Sequence, residues 1–110
     1  MILIIDDNIM LSDILDHYIE GYEHLTVNSL EELKLVPEET IKSVSKVLTD
    51  MRLAPDVDAY TVKEYIRAIN KDADIILMSG APPSDKTAAD FDGVLLKPFG
   101  GKAMVDILTK

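Results

Sequence analysis

Side chains suited to nucleophilic or metal chemistry follow short apolar runs at four places in the chain. The first run ends in Asp6-Asp7, and later runs are followed by Thr49-Asp50, Ser79-Gly80 and Lys97-Pro98. In open α/β sheets the functional crevice lies beyond the carboxyl ends of the strands, so we expect these residues to meet there. Together they would supply an acidic cluster, a hydroxyl and an amine.

The three carboxylates of this set predict a metal site. Carboxylates that are brought together repel one another unless they share a cation. An all-oxygen site with bound water suits a small hard ion such as Mg²⁺. With the ion in place, one carboxylate oxygen could attack phosphorus while the Lys97 amine and the Ser79 hydroxyl help to neutralise the transferring group. The inventory therefore matches phosphoryl transfer to an aspartate.

Five apolar runs are predicted to be the strands that position these residues. They are mostly continuous rather than alternating, which is typical of strands covered on both faces in a parallel sheet. Strand and helix alternate along the chain, so the expected fold is a doubly wound α/β sandwich with right-handed crossovers. The runs are residues 2–5, 24–28, 44–48, 75–78 and 94–96.

Helices are predicted between these strands. Residues 9–20, 60–70 and 101–110 have clear helical patterns. Residues 30–35 predict a short helix that ends before Pro37. Residues 81–92 contain Pro82-Pro83, so we expect the helix before the last strand to be short or distorted.

The first predicted helix is amphipathic. Its inward stripe is expected to be Leu11, Ile14, Leu15 and Tyr18, and its outward side Ser12, Asp13, Asp16 and His17. Ile9 and Met10 lie beside the site and off the inward stripe. We therefore interpret them as an apolar patch that faces a partner.

Size and charge limit the possible functions. The chain has 110 residues and a formal net charge of −9, which predicts one domain over residues 1–110 with no output domain and argues against binding to nucleic acid. The apolar start, residues 1–5, is too short for a signal peptide or a membrane span, so a cytoplasmic protein is expected. Absence of cysteine excludes a disulfide framework and fits a reducing compartment.

Four ordered motifs resemble the receiver domains of two-component response regulators over essentially the whole chain. The resemblance implies a flavodoxin-like, five-stranded parallel sheet in the order 2-1-3-4-5 with helices on both faces. The motifs are Ile4-Ile5-Asp6-Asp7-Asn8, Val47-Leu48-Thr49-Asp50-Met51-Arg52-Leu53, Leu77-Met78-Ser79-Gly80 and Leu95-Leu96-Lys97-Pro98-Phe99.

The resemblance also implies a role for each site residue. Asp50 is similar to the phosphoacceptor. Asp7 is similar to a direct Mg²⁺ ligand, Asp6 to one that helps through water, and Arg52 to the residue whose backbone carbonyl binds the ion.

Two further roles concern the phosphoryl group itself. Ser79 is similar to the hydroxyl that swings toward this group, and Lys97 to the cation that holds it. A cis peptide bond is expected before Pro98.

The sequence departs from the family pattern in the loop after Asp50 and in the last strand. Ala54 is inserted before Pro55 and Ala59 replaces a usual glycine, which predicts an unusual loop path. Val94 stands where many members have an aromatic that rotates on activation. The segment between Ser79 and Lys97 is also shorter than usual, so phosphorylation would be read out differently.

Other polar residues have plainer interpretations. Asp56 and Asp58 are expected to be solvated loop carboxylates. His17 and His24 have no ligand partner at useful spacing and are interpreted as structural. Residues 100–102, Gly-Gly-Lys, lack the preceding spacing of a phosphate-binding loop.

The sequence therefore predicts a phosphoacceptor switch that receives a phosphoryl group from a sensor histidine kinase or a histidine phosphotransfer protein. It would catalyse only its own phosphorylation and dephosphorylation, and would signal by contact with a downstream protein or pass the group onward. One alternative is a binding-only module that phosphorylation does not regulate. A dehalogenase-like phosphatase is disfavoured because Arg52 occupies the position of its second aspartate.

Overall fold

A computed structural model describes all residues 1–110 and contains seven strands and six helices. The elements in chain order are β1 (Ile2–Ile5), α1 (Ile9–Tyr18), β2 (His24–Val27), α2 (Leu30–Leu35), α3 (Glu38–Lys42), β3 (Lys46–Asp50), β4 (Arg52–Ala54), β5 (Val57–Asp58), α4 (Ala59–Ile69), β6 (Asp74–Ser79), α5 (Asp85–Ala89), β7 (Gly93–Leu96) and α6 (Gly101–Leu108).

Five of the strands form one parallel sheet in the order β2-β1-β3-β6-β7. Since β6 and β7 are the fourth and fifth strands of this sheet along the chain, the predicted order 2-1-3-4-5 is confirmed. Strands β4 and β5 form a separate antiparallel hairpin. The carboxyl ends of β1, β3, β6 and β7 therefore lie at the same rim.

The core has two layers, one on each face of the sheet. Alternate residues of β1 point to opposite faces, as strand geometry requires. Ile2 and Ile4 pack in the layer formed with α1 and α6, whereas Leu3 and Ile5 pack in the layer formed with α2, α3 and α4. Burial of the central strands on both faces explains their continuous apolar runs.

The first helix sits differently from its predicted orientation. Ile14 is 49% exposed, whereas Ser12 is only 3% exposed. Leu15 is buried as predicted, and the C-cap residue Ile19 is buried beside it. The predicted outward position of Ser12 is wrong because its hydroxyl has buried polar partners, which Asp6 and Asn28 supply.

The third strand and the connection before it also differ from the prediction. The predicted strand covers residues 44–48, but β3 begins at Lys46 and ends at Asp50, and Val44 is buried just before it. Pro37, before which a helix is predicted to end, is also the N-cap of α3, since a helix start does not need the N–H that proline lacks. The short helix predicted before the last strand is confirmed as α5, which has five residues.

None of the six helices combines the length and apolar character that a bilayer crossing requires.

Candidate functional site

Three carboxylates converge at the carboxyl ends of β1 and β3. These strands are hydrogen-bonded neighbours, with Ile5 paired to Thr49, so Asp6 and Asp50 follow at matching positions. One carboxylate oxygen from each of Asp6, Asp7 and Asp50 lies within 4.8 Å of the other two. The predicted acidic cluster is therefore assembled by the parallel register of two strands.

Asp6 is the buried member of this cluster. Its side chain is fully buried, and Oδ1 accepts a hydrogen bond of 2.9 Å from the Asn8 N–H. Its other oxygen, Oδ2, is buried without any hydrogen-bond partner. Burial raises the pKa of Asp6, the charges of Asp50 and Asp7 raise it further, and the Asn8 N–H and Lys97 oppose the change.

An unpartnered buried oxygen beside two more carboxylates fits a hard divalent cation. Such ions prefer oxygen ligands, and their positive charge would remove the electrostatic penalty of the cluster. Asp6, Asp7 and Asp50 are the residues that could hold the ion.

Asp50 is positioned by contacts on both of its carboxylate oxygens. Oδ2 accepts a hydrogen bond of 2.9 Å from Lys97 Nζ, and Oδ1 accepts one of 2.9 Å from the Met51 N–H. The Asp50 side chain is 19% exposed, so this carboxylate is held by two hydrogen bonds and still reaches the surface.

Lys97 and Ser79 come from the two neighbouring strand ends. Ser79 pairs with Leu96, and the Lys97 N–H donates to the Ser79 carbonyl at 2.8 Å. The peptide bond between Lys97 and Pro98 is cis, as predicted. The Ser79 hydroxyl donates to the Ala81 carbonyl at 2.5 Å and is therefore engaged with its own loop.

Arg52 lies just beyond the site, in the hairpin that follows Asp50. It is exposed, it pairs with Asp58 across the hairpin, and its Nη1 donates to the Pro55 carbonyl at 3.4 Å. Ala54 pairs with Val57 after a register shift, so the loop after Asp50 is a short bulged hairpin. Metal binding by the Arg52 carbonyl stays a prediction.

Asp58 has a function in the hairpin that the sequence interpretation missed. Its Oδ1 accepts from the N–H groups of Tyr60 and Thr61 at 3.0 and 3.2 Å, which makes it the N-cap of α4. An aspartate just before an apolar helical pattern is the signal that would have identified it. Asp56 is exposed, as expected.

An apolar groove borders the site on the α1 side. It has a volume of about 430 Å³. One of its lining residues is Lys97, whose ammonium donates a hydrogen bond to Asp50. Ile9 and Met10, 65% and 80% exposed, lie on the adjoining first turn of α1. The remaining lining residues are Leu11, Ile14, Leu15, Tyr18, Pro98 and Phe99.

The two histidines lie away from the acidic cluster. The exposed His17 is 3.5 Å from Glu20. His24 Nδ1 is 2.8 Å from the Tyr22 carbonyl, and Nε2 is 3.3 Å from Asp16. These partners of the two histidines lie in α1 and in the turn that follows it.

Solved structures with a similar fold are response regulators. A response regulator from Burkholderia pseudomallei, with a phosphorylated aspartic acid and calcium, has a TM-score of 0.75 and 21% identity over 97% of this chain and 65% of that one. The CheY4 chemotaxis protein of Vibrio cholerae has a TM-score of 0.79 and 19% identity, over 98% of this chain and 94% of that one. A two-component response regulator from Clostridium difficile has a TM-score of 0.78 and 21% identity, over 98% of this chain and 91% of that one.

These likenesses establish the fold. The chain has the fold of response-regulator receiver domains, and the predicted flavodoxin-like architecture is confirmed. The chain spans about two thirds of the Burkholderia protein. No protein-family model matches the sequence, and no curated protein matches it.

Proposed function

We propose that the protein is a phosphoacceptor switch of a two-component system, in which Asp50 accepts a phosphoryl group from phosphohistidine in a Mg²⁺-dependent reaction. The single observation that carries this proposal is the environment of Asp50. Its carboxylate lies beside two further carboxylates and accepts a hydrogen bond of 2.9 Å from Lys97. These four residues come from three strand ends, those of β1, β3 and β7, which are distant in sequence.

The reaction requires a carboxylate nucleophile and positive charge around the phosphoryl oxygens. Asp6, Asp7, Asp50 and the backbone carbonyl of Arg52 would hold a bound Mg²⁺, which supplies charge neutralisation. A phosphorus–oxygen bond forms to Asp50 as the phosphorus–nitrogen bond breaks, and its electron pair returns to the imidazole of the donor. Lys97 moves from the carboxylate to a phosphoryl oxygen, and Ser79 leaves the Ala81 carbonyl to donate to another.

The apolar groove supports a protein as the phosphodonor. The exposed Ile14 lines this groove together with Lys97, and the exposed Ile9 and Met10 lie on the adjoining first turn of α1. A partner helix packed in this groove could bring a histidine to Asp50, because Lys97 contacts both places. The partner would be a sensor histidine kinase or a histidine phosphotransfer protein, and the reaction would take place in the cytoplasm.

The signal would leave through protein contact. The phosphorylated receiver domain would bind a downstream protein or pass the phosphoryl group onward in a relay. The added negative charge at Asp50 would reorganise the loops after β3 and β6. The protein would catalyse only its own phosphorylation and dephosphorylation.

A binding-only module is the second candidate, and Val94 favours it. Val94 is a half-buried aliphatic residue that packs against the core on the α4 side, so it offers no ring to rotate. In that case the acidic cavity would persist while partner contact alone regulated the protein.

Phosphorylation with a small donor separates these candidates. The protein is incubated with radiolabelled acetyl phosphate or phosphoramidate in Mg²⁺ or in EDTA, and base-labile label is counted. We expect label on the wild type in Mg²⁺ and its loss in Asp50→Asn. Asp106→Asn, which removes an exposed carboxylate on α6, is the matched control and should label normally. Absence of label at saturating donor would favour the binding-only module.

A further inference from the structure

Asn28 contacts the backbone of the acidic cluster from the neighbouring strand. Its Nδ2 donates to the Asp6 carbonyl at 2.8 Å and to the Ser12 hydroxyl at 2.9 Å. The Ser12 hydroxyl donates to the same Asp6 carbonyl at 3.3 Å. The peptide group between Asp6 and Asp7 is therefore held by two side chains, neither of which belongs to the predicted site.

Asn28 takes over where the strand pairing stops. The β1–β2 ladder ends at Ile5 and Val27, and the Asp6 N–H still donates to the Val27 carbonyl at 3.2 Å. Beyond Val27 the chain turns into α2, so no main-chain donor follows for the Asp6 carbonyl. The Asn28 amide supplies that donor and extends the pairing by one residue, which satisfies a carbonyl next to a buried charge.

Asn28 is itself fixed by the start of α2. Its N–H donates to Glu32 Oε1 at 3.0 Å, and Ser29 caps the helix by accepting from the Glu32 N–H. This reciprocal arrangement is a form of capping box, which sets the direction in which the chain leaves β2. The α2 start, Asn28 and the Asp6 carbonyl thus form a continuous hydrogen-bonded path to the cluster.

We propose that Asn28 is a positioning residue for the metal site, which orients the Asp6-Asp7 peptide so that both carboxylates face Asp50. This inference rests on the proposed Mg²⁺ site. Asp6 Oδ2 is buried, unpartnered and close to two other carboxylates, so the peptide would relax away from the cluster if it were not held. Groups that orient metal ligands typically change metal affinity by about tenfold or more when removed.

Asn70 provides a matched control for an experiment on Asn28. It is also half-buried, and its Nδ2 donates to main-chain carbonyls of Ile41, Lys42 and Val44. These contacts lie at the opposite end of the sheet, because β3 begins after Val44. Asn28→Ala and Asn70→Ala therefore each remove one side chain that binds main-chain carbonyls, but only the first removal occurs at the site.

The test measures Mg²⁺ dissociation constants by calorimetry for the full chain and both variants, together with hydrogen exchange of the Asp6 amide in EDTA. We expect Asn28→Ala to weaken Mg²⁺ binding by about tenfold and to expose the Asp6 amide to exchange. Asn70→Ala should lower stability while leaving the dissociation constant within about twofold. Ser12→Ala removes the longer bond to the same carbonyl and the acceptor of the second Asn28 bond, but leaves the Asn28–Asp6 bond in place. It should give a smaller change, and it replaces Asn28→Ala if that variant does not fold.

Two outcomes overturn the inference alone, and a third overturns it together with the proposed function. If the wild type binds Mg²⁺ and the Asn28 or Ser12 variant binds it equally well, Asn28 has only a structural role and the proposed function still stands. If both asparagine variants weaken binding equally, the effect is one of general stability and the inference fails. If the wild type itself binds no Mg²⁺, the proposed function fails first.

Discussion

At the scale of single residues, the site places a charge where folding disfavours it. Asp6 is fully buried, and its Oδ2 has no hydrogen-bond partner. Desolvation and the two neighbouring carboxylates all oppose its ionisation. Functional sites commonly keep such a cost because binding or catalysis needs the charge.

The first prediction concerns the substitution Asp6→Asn. In EDTA at neutral pH we expect this variant to be more stable than the wild type, by about 1 kcal/mol. It keeps an oxygen to accept from Asn8 and removes the unpartnered charge. Urea unfolding monitored by circular dichroism measures the difference. A variant less stable than the wild type would show that the cluster does not destabilise the metal-free fold.

The difference in stability between Asp6→Asn and the wild type should depend on pH. The pKa of Asp6 is raised in the folded state, so this group favours folding below its unfolded value of 3.8 and loses that contribution as the pH rises through the folded pKa. The advantage of Asp6→Asn should therefore be greatest at neutral pH and shrink as the pH falls toward the unfolded value. An advantage that stayed constant between neutral and acidic pH would contradict this cause.

The residues of the candidate site could be predicted from the sequence, whereas the side chains that support them could not. Asp50 and Lys97 each follow an apolar run, and parallel strands bring such positions to one rim. Asn28 reaches Asp6 across 22 positions through a side chain bonded to a backbone carbonyl. Contacts of that kind leave no periodic pattern, and the burial of Ser12 follows from the same unrecognised network.

At the scale of elements, the loop after Asp50 is joined directly to the start of α4. The Ala59 N–H donates to the Met51 carbonyl at 2.8 Å, and the Met51 N–H donates to Asp50. Asp58 caps the helix one residue earlier. The hairpin that contains Ala54 therefore ends in a fixed helix rather than in a free loop.

A second prediction tests that cap. Asp58→Ala should destabilise the protein by about 1 kcal/mol, and at most about 2 kcal/mol, because two N–H groups in the first turn of α4 lose their acceptor. Asp58→Asn keeps an oxygen and should recover most of the loss. Equilibrium urea unfolding measures both variants.

Asp56→Ala is the control for this cap experiment. Asp56 is exposed in the same hairpin and caps no helix, so its removal should change stability by no more than about 0.5 kcal/mol. Equal losses from Asp56→Ala and Asp58→Ala would mean that charge, rather than capping, stabilises this segment.

Elements with a helical period or a continuous apolar run could be predicted, whereas α3 and the β4–β5 hairpin could not. The apolar stripe of α4 locates a helix within a residue or two of its observed bounds at Ala59 and Ile69. Helix α3 and the β4–β5 hairpin have five residues or fewer in each element, too few for a period to develop. Tertiary contacts, rather than local pattern, decide such segments.

At the scale of the whole molecule, the chain carries a net charge of −9, and three of its carboxylates meet at the site. Self-repulsion of this kind opposes the compact state, and salt reduces it in a general way. A cation bound at the cluster would act on the same repulsion locally and with greater effect.

The third prediction follows from this difference. Mg²⁺ should stabilise the protein more than NaCl of the same ionic strength, by about 1.4 kcal/mol at ten times its dissociation constant. Thermal unfolding in the two salts measures the increment. Asp7→Asn should lose the Mg²⁺-specific part and keep the response to NaCl. Equal stabilisation by both salts would indicate screening alone.

The most direct test of Asp50 as a phosphoacceptor is a crystal structure with Mg²⁺ and beryllofluoride, a mimic of the phosphoryl group. We predict beryllofluoride on the Asp50 carboxylate, with Lys97 Nζ and Ser79 Oγ moved from Asp50 and the Ala81 carbonyl onto its fluorine atoms. An Asp50 that stays paired with Lys97 and carries no adduct at saturating reagent would contradict the proposal that these strand ends form a phosphoryl site.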